Sequence, residues 1–480
     1  MSAGAPPTGA DRRPPMSRTA GLAVLGAVLA AAAIRAPFLA DGLWYDEIAA
    51  FASYSIDGPS GAVSRYFSQA NHVLNQLLAW ASTSVLGIDE AAMRLPSFLA
   101  GLGAVVATAM LGREARGDRL AAASAAAIAL MPTAVLPATE ARGYALMMMF
   151  SALSSAFLLR GTREGGFGAW AGYAVSVALG AWSHLVFACV PAFHAAWLAV
   201  RAVRDRDAAG RRRAWAGLAA VAAAGAIALA EYAPILGQML RIRDEFRALD
   251  GNEPTLLSAE GAWMAMSAGG SWCWWASLAA LPLVAAGIAA AARDAALRSA
   301  LLVSLGGVAV ALLFPTVLGS WLYARFLAFA VPGVALLVGA GACELWERRR
   351  AAAIAASALA CTAWIASLAV LGPRQQLREA IDLVRASRAP GEGAFAVGLP
   401  DDVHLWYASL AGMEMPGSGP YGAGVAMHLN NPSMRWCVLL YPRALAERRA
   451  ALEAAGFAAV REFPGWIDHG DGAVVVLRRR

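Results

Sequence analysis

The chain has 480 residues, of which 59% are hydrophobic and 15% charged, and its mean hydropathy is +0.54. Soluble domains hold about 45–50% apolar and about 25% charged residues, so this composition excludes a soluble globular protein and predicts a mainly α, polytopic membrane protein. The net charge of +6 does not indicate nucleic-acid binding, because the arginines collect in short loops between apolar runs.

Residues 1–18 are rich in Pro, Gly and Arg and read as a disordered cytoplasmic tail. A cleaved signal peptide is the alternative for residues 1–40, since Arg12, Arg13 and Arg18 precede an Ala-rich run. The apolar stretch continues almost to Asp41 and many others follow, which favours a first span over residues 19–40. Residues 41–92 read as a large first extracytoplasmic loop. Inside it, His72 to Gly87 is apolar, but its length of about 16 residues falls short of the roughly 20 that a span requires. Asn71, His72, Asn75 and Gln76 mark its start, so it is expected to lie on the membrane as an amphipathic helix.

Arginines cluster at Arg113/Arg116/Arg119, Arg160/Arg163, Arg201 to Arg213, Arg293/Arg298 and Arg348 to Arg350. If all are cytoplasmic, the apolar runs between them come in pairs. Runs at 93–112, 118–137, 142–160, 167–182, 184–201, 212–232, 272–292, 297–318, 322–345 and 351–371 satisfy this when the first span leads outward. The expected transmembrane domain therefore covers 19–372 in about eleven spans, in an inner or plasma membrane. Residues 233–271 form a polar outer loop, and Trp272, Trp274, Trp275 and Trp321 read as an interfacial belt. Residues 373–480 differ in composition. A helical pattern over Gln375–Ala386, a second over Ala444–Ala455 and β-type runs at Ala394–Val397, Trp436–Leu440 and Ala473–Leu477 predict a small extracytoplasmic α/β domain. The five cysteines, Cys189, Cys273, Cys343, Cys361 and Cys437, have no metal-ligand spacing and do not suggest a disulfide framework.

This topology brings polar residues from six turns to one interface. Asp46 and Glu47 follow the first span, and His72 heads the short helix. Glu140, Arg142 and Tyr144 occupy one outer turn, His184 the next, Glu231 and Tyr232 a third, and Tyr323 to Phe326, with Arg325, a fourth. Paired carboxylates at a lipid boundary are costly and mark chemistry or an ion path. Each residue also has a structural alternative. Asp46 or Glu47 can cap a helix, Glu140 and Arg142 can form an interfacial ion pair, His184 can pack, and Arg325 can snorkel. Glu231 and Tyr232 read as structural. Transfer of a sugar from a lipid phosphate needs this combination of groups. A cation such as Arg325 or Arg142 stabilises the leaving phosphate, and a carboxylate in a partly wet cavity takes the acceptor proton.

An acidic pair after the first span, a histidine-headed short helix, Met93-Arg94-Leu95-Pro96-Ser97 and Glu140-Ala141-Arg142-Gly143-Tyr144 occur in that order. In this the chain resembles the C-type (GT-C) membrane glycosyltransferases that use polyprenyl-phosphate sugars, including the protein mannosyltransferases and aminoarabinose transferases. The resemblance is densest over residues 35–160 and continues weakly through Ser183-His184, Tyr232 to Gln238 and Ala324-Arg325-Phe326. It implies inverting transfer of a hexose or pentose, such as mannose, to an envelope glycan, lipid or protein at the extracytoplasmic face. It also implies Asp46 as general base with Glu47 beside it, Arg325 and Arg142 at the donor phosphate, and His184, His72, Glu140 and Tyr144 around the sugar or acceptor. Asp46, Glu47 and Glu140 could further hold a divalent metal. Relatives carry a His-Pro-Pro-Leu-type stretch where this chain has Asn71-His72-Val73-Leu74, which leaves the acceptor type open. The alternatives are a transporter or lipid flippase with proton-carrying carboxylates, or a degenerate relative whose outer domain is a binding module.

Overall fold

The computed structural model describes residues 13–68, 71–248, 274–313, 324–398, 403–419, 422–466 and 472–480. Expectations for the tail residues 1–12, for 249–271, and for Trp272, Cys273, Trp321 and Tyr323 lie outside them. A helical body fills most of the chain, and a small four-stranded sheet lies near the C-terminus.

Among the described residues, seven helical segments are long and apolar enough to cross a membrane, including Arg18–Ala40, Glu90–Arg116, Tyr144–Glu164, Ala208–Tyr232 and Arg325–Arg348. The number rises to nine when two bent pairs each count as one. A count of eleven additionally needs the 17-residue helix Phe167–Ser183 and separate counting of the arms Leu281–Arg293 and Ala295–Ala311, which meet at 120°. The other bent pair, Asp118–Leu130 and Pro132–Thr139, turns by 78° at a proline that cannot continue the hydrogen-bond ladder. Arg35 satisfies the exposed helix end by donating to the carbonyls of Ala129 (2.8 Å) and Ile128 (3.4 Å). This bend carries residues 140–143 across the end of the bundle. The apolar stretch after His72 forms the 14-residue helix Val73–Leu86, too short to span.

The arginine clusters meet at one end of the body. Glu114 pairs with Arg160 (2.8 Å), Arg163 (2.6 Å) and Arg13 (3.9 Å). Arg116 pairs with Asp294 (3.4 Å), and Arg293 with Glu344 (2.7 Å). Small residues let the helices approach closely. A side chain at Gly287 would meet the carbonyl of Leu337, and one at Gly341 that of Leu283.

The opposite end carries the helix Tyr45–Tyr54, the short helix Pro59–Ser64 and the sheet. Strands β1 (Gly393–Val397), β2 (Met434–Leu440), β3 (Phe457–Phe463) and β4 (Val474–Arg479) lie in the order β1-β2-β4-β3. β1 and β2 are parallel, and the other pairs antiparallel. The three strands and two helices expected from the sequence are present, the helices as Leu377–Ser387 and Ala446–Ala454. Strand β3 and the helices Val403–Leu410 and Val425–Leu429 are additional. One face of the sheet shares a core with the first loop, where Leu43, Ile48, Phe51 and Met93 pack with Leu377, Ile381 and Tyr407. The Tyr407 hydroxyl accepts from the Leu43 N–H (2.6 Å) and donates to Glu90 (3.0 Å), which Arg378 also pairs at 2.8 Å.

Candidate active site

Asp46 and Glu47 sit in the first turn of the helix Tyr45–Tyr54, where the positive end of the helix dipole favours carboxylates. Their surroundings differ sharply. Glu47 is fully buried and receives four hydrogen bonds. Arg94 donates Nε to Oε1 (2.8 Å) and Nη2 to Oε2 (2.6 Å), Ala141 donates its N–H to Oε1 (2.6 Å), and Trp44 donates its N–H to Oε2 (3.1 Å). Those donors occupy the lone pairs of both oxygens. Glu47 thereby ties the start of its own helix to Arg94 and to the N–H of Ala141. Arg94 gathers the preceding turn too, donating to the carbonyls of Phe38, Leu39, Asp41 and Gly42 at 2.6–3.3 Å.

Asp46 is held loosely by comparison. Its Oδ2 lies 3.3 Å from Arg325 Nη1 and 3.5 Å from Arg142 Nη2, and it has no hydrogen-bond partner of ordinary geometry among the described residues. Arg142 also donates to the Asp46 carbonyl (3.1 Å). The side chains of Asp46 and Arg325 keep 15% and 19% exposure, so a ligand can reach both, whereas Arg142 keeps 3%.

Beside this charged group His72, Tyr144, His184 and Phe326 form an aromatic cluster. Ring centroids are 4.6 Å apart for His72–His184, 5.1 Å for His72–Tyr144, 5.3 Å for Tyr144–His184 and 5.0 Å for His184–Phe326. The N–H of Gly143 donates to His72 Nδ1 (2.7 Å), and that of Val186 to His184 Nδ1 (3.2 Å). A neutral imidazole bonded this way carries its proton on Nε2. Burial first, then the cations Arg142, His184 and Arg325, pushes the His72 pKa well below its ordinary value. Burial, Arg142 and Arg325 push that of His184 down to about 3. Both rings are thus held neutral, and His72 Nε2 lies 3.5 Å from Arg142 Nη2.

Glu140 is buried and paired with Arg374 from the segment that leads into the sheet. Asp46, Glu47 and Glu140 each answer to different arginines. Among the described residues no group of three His, Cys, Asp or Glu side chains is placed to hold a metal ion. The Tyr232 hydroxyl donates to the Ala181 carbonyl (2.8 Å) in a packing role. The structure thus brings together Asp46, His72, Arg142, Tyr144, His184 and Arg325, with Glu140 one step outside. Arg94, Trp44, Phe326 and Arg374 were not among the expected site residues. A lone arginine near the start of an apolar helix, with Pro96 after it, was the available signal for Arg94.

The sequence profile of dolichyl-phosphate-mannose-protein mannosyltransferases matches residues 73–237. No curated protein matches the sequence. The backbone aligns over 95% of its length with 97% of ArnT from Cupriavidus metallidurans bound to undecaprenyl phosphate, at 14% identity and a TM-score of 0.59. This is a GT-C fold. The archaeal oligosaccharyltransferase AglB from Archaeoglobus fulgidus, in complex with an inhibitory peptide and a dolichol-phosphate, shares the GT-C fold at 12% identity and a TM-score of 0.55. That alignment covers 93% of this chain and 73% of AglB. The chain accordingly shares this fold, and within it residues 73–237 are similar to the protein mannosyltransferase profile.

Proposed function

We propose that the protein transfers a hexose or pentose from a polyprenyl-phosphate donor to an envelope glycan, lipid or protein at the extracytoplasmic face. The observation that carries this reading is the division of labour around Asp46. Glu47 is saturated, Glu140 is paired with Arg374, and the two histidines accept backbone N–H groups at Nδ1. Asp46 is left as the carboxylate able to take a proton within the cluster, with two guanidinium groups beside it. The related ArnT and AglB structures hold polyprenyl or dolichyl phosphate, which supports a lipid-phosphate donor here.

In the ligand-free state Arg142 and Arg325 neutralise Asp46. A donor phosphodiester entering the cavity competes for both arginines and frees the Asp46 carboxylate. The acceptor hydroxyl then attacks the anomeric carbon from the face opposite the phosphate. A new C–O bond forms, the bond from that carbon to the phosphate oxygen breaks, and the configuration inverts. The acceptor proton passes to Asp46. The departing polyprenyl phosphate gains one negative charge, which the arginines stabilise where it develops. Tyr144, His72 and His184 wall the sugar and supply donors to its oxygens. We further propose eleven spans, with the arginine-rich end cytoplasmic and residues 373–480 forming an extracytoplasmic domain.

Mass spectrometry of envelope glycans, lipids and glycoproteins from a deletion strain tests the reading. A sugar should disappear from one class, return with the wild-type chain, and stay absent with Asp46→Asn expressed at equal level. Restoration by Asp46→Asn would overturn it.

A further inference from the structure

Arg374 follows the helix Arg350–Leu371 and stands at the entry to the sheet. Its guanidinium pairs with the buried carboxylate of Glu140. It also lies over two indole rings, 4.7 Å from the centroid of Trp44 and 4.3 Å from that of Trp466. Arg325 lies over the same Trp44 ring at 5.8 Å. Trp466 is fixed to the same segment twice, donating its N–H to the Arg374 carbonyl (2.8 Å) and its indole N–H to the Gly372 carbonyl (3.1 Å). Two of these partners stand two positions before a cavity residue. Trp44 precedes Asp46, and Glu140 precedes Arg142. These two segments meet again at Glu47, which accepts the N–H groups of Trp44 and Ala141.

We infer that Arg374 is a positioning residue. It sets the spacing between Asp46 and Arg142, and so couples the C-terminal sheet region to the affinity of the cavity for the donor phosphate. The inference rests on the proposed reading of that cavity as a lipid-phosphate site. A planar guanidinium suits the position because it stacks on rings and pairs with a carboxylate at the same time, whereas an ammonium keeps the charge and loses the stacking. The C-terminal region is therefore part of the donor site's support. Its removal would loosen two catalytic segments together.

The experiment uses the purified full-length chain and three variants: Arg374→Met, Arg374→Lys, and Arg385→Ala as an exposed control on the neighbouring helix, where Arg385 pairs with Asp382 at 3.3 Å. Hydrogen exchange without ligand is read over residues 41–54 and 136–147. Arg374→Met should accelerate exchange in both segments and leave the helix Ala208–Tyr232 unchanged, Arg374→Lys should fall between, and the control should match wild type. With a polyprenyl-phosphate sugar as donor, Arg374→Met should raise the donor KM about tenfold while kcat changes less than about threefold, since misplacing a binding group by a fraction of an ångström has effects of this size. Wild-type exchange in both segments would overturn the inference, as would acceleration spread through all helices. A wild-type chain that transfers no sugar would overturn the proposed function instead, and the exchange data would still decide the role of Arg374.

Discussion

Two adjacent carboxylates with opposite surroundings make opposite predictions. Glu47 is a fully buried charge held by Arg94 and two backbone N–H groups. Glu47→Gln leaves Arg94 buried without its counter-charge and should cost about 3–5 kcal/mol of stability. Asp46→Asn removes a group that lies 3.3 and 3.5 Å from two cations without a close hydrogen bond, and should lower thermal stability far less. Thermal unfolding of the two variants in detergent checks the order, and a larger loss for Asp46→Asn would contradict it. The histidines add a pH dependence. The folded pKa of His184, about 3, lies below the unfolded value of about 6.5, so the folded state binds fewer protons between those values. Stability is full above pH 6.5 and declines as the pH falls towards 3; His72 shifts the same way. A thermal midpoint that rises on acidification from pH 7 to 5 in wild type, relative to His184→Gln, would contradict this.

At the scale of elements, the cavity is built where chain breaks meet. The kink after Leu130 swings residues 140–143 over the bundle, and the helix Val73–Leu86 delivers His72 to the same place. Gly143 is the tightest contact there, since a side chain on it would strike the Ser183 carbonyl and the His72 ring. Gly143→Ala should reduce transfer at least about tenfold by displacing His72 and Arg142. Gly168→Ala, with open space around it, should leave transfer unchanged; equal activity of the two variants would contradict the packing argument. What the sequence revealed and concealed follows the same division. Asp46, Arg142, His184 and Arg325 were legible because a charged or polar residue beside a long apolar run stands out. Glu47's tie to Arg94 was not, because Arg94 is distant in sequence and the pairing depends on tertiary contact. Strand β3 escaped notice because its middle residues are exposed and it carries Arg461 and Glu462, so it lacks the apolar run that marked the other strands.

On the scale of the whole molecule, charge sorts the two ends. One end holds the Glu114, Asp294 and Glu344 ion-pair groups, and the other holds the cavity and the sheet. In a cysteine-free background, a cysteine at exposed Leu410 should react with an impermeant thiol reagent added outside intact cells. One at exposed Arg119 should react only after the membrane is opened. Labelling of both from the same side would contradict the topology. The sheet region adds a second level of organisation, because it packs on residues 41–92 through Tyr407, Arg378 and Arg374 rather than hanging free.

The most direct measurement is a single turnover of purified protein in liposomes, with a polyprenyl-phosphate sugar and the acceptor class identified from the deletion strain. The account predicts stoichiometric release of polyprenyl phosphate and an inverted anomeric centre in the product. Asp46→Asn should bind the donor yet transfer it more slowly by a factor of about 10²–10⁴, the usual contribution of a general base. Turnover by Asp46→Asn within a few-fold of wild type, or retention of the anomeric configuration, would contradict it.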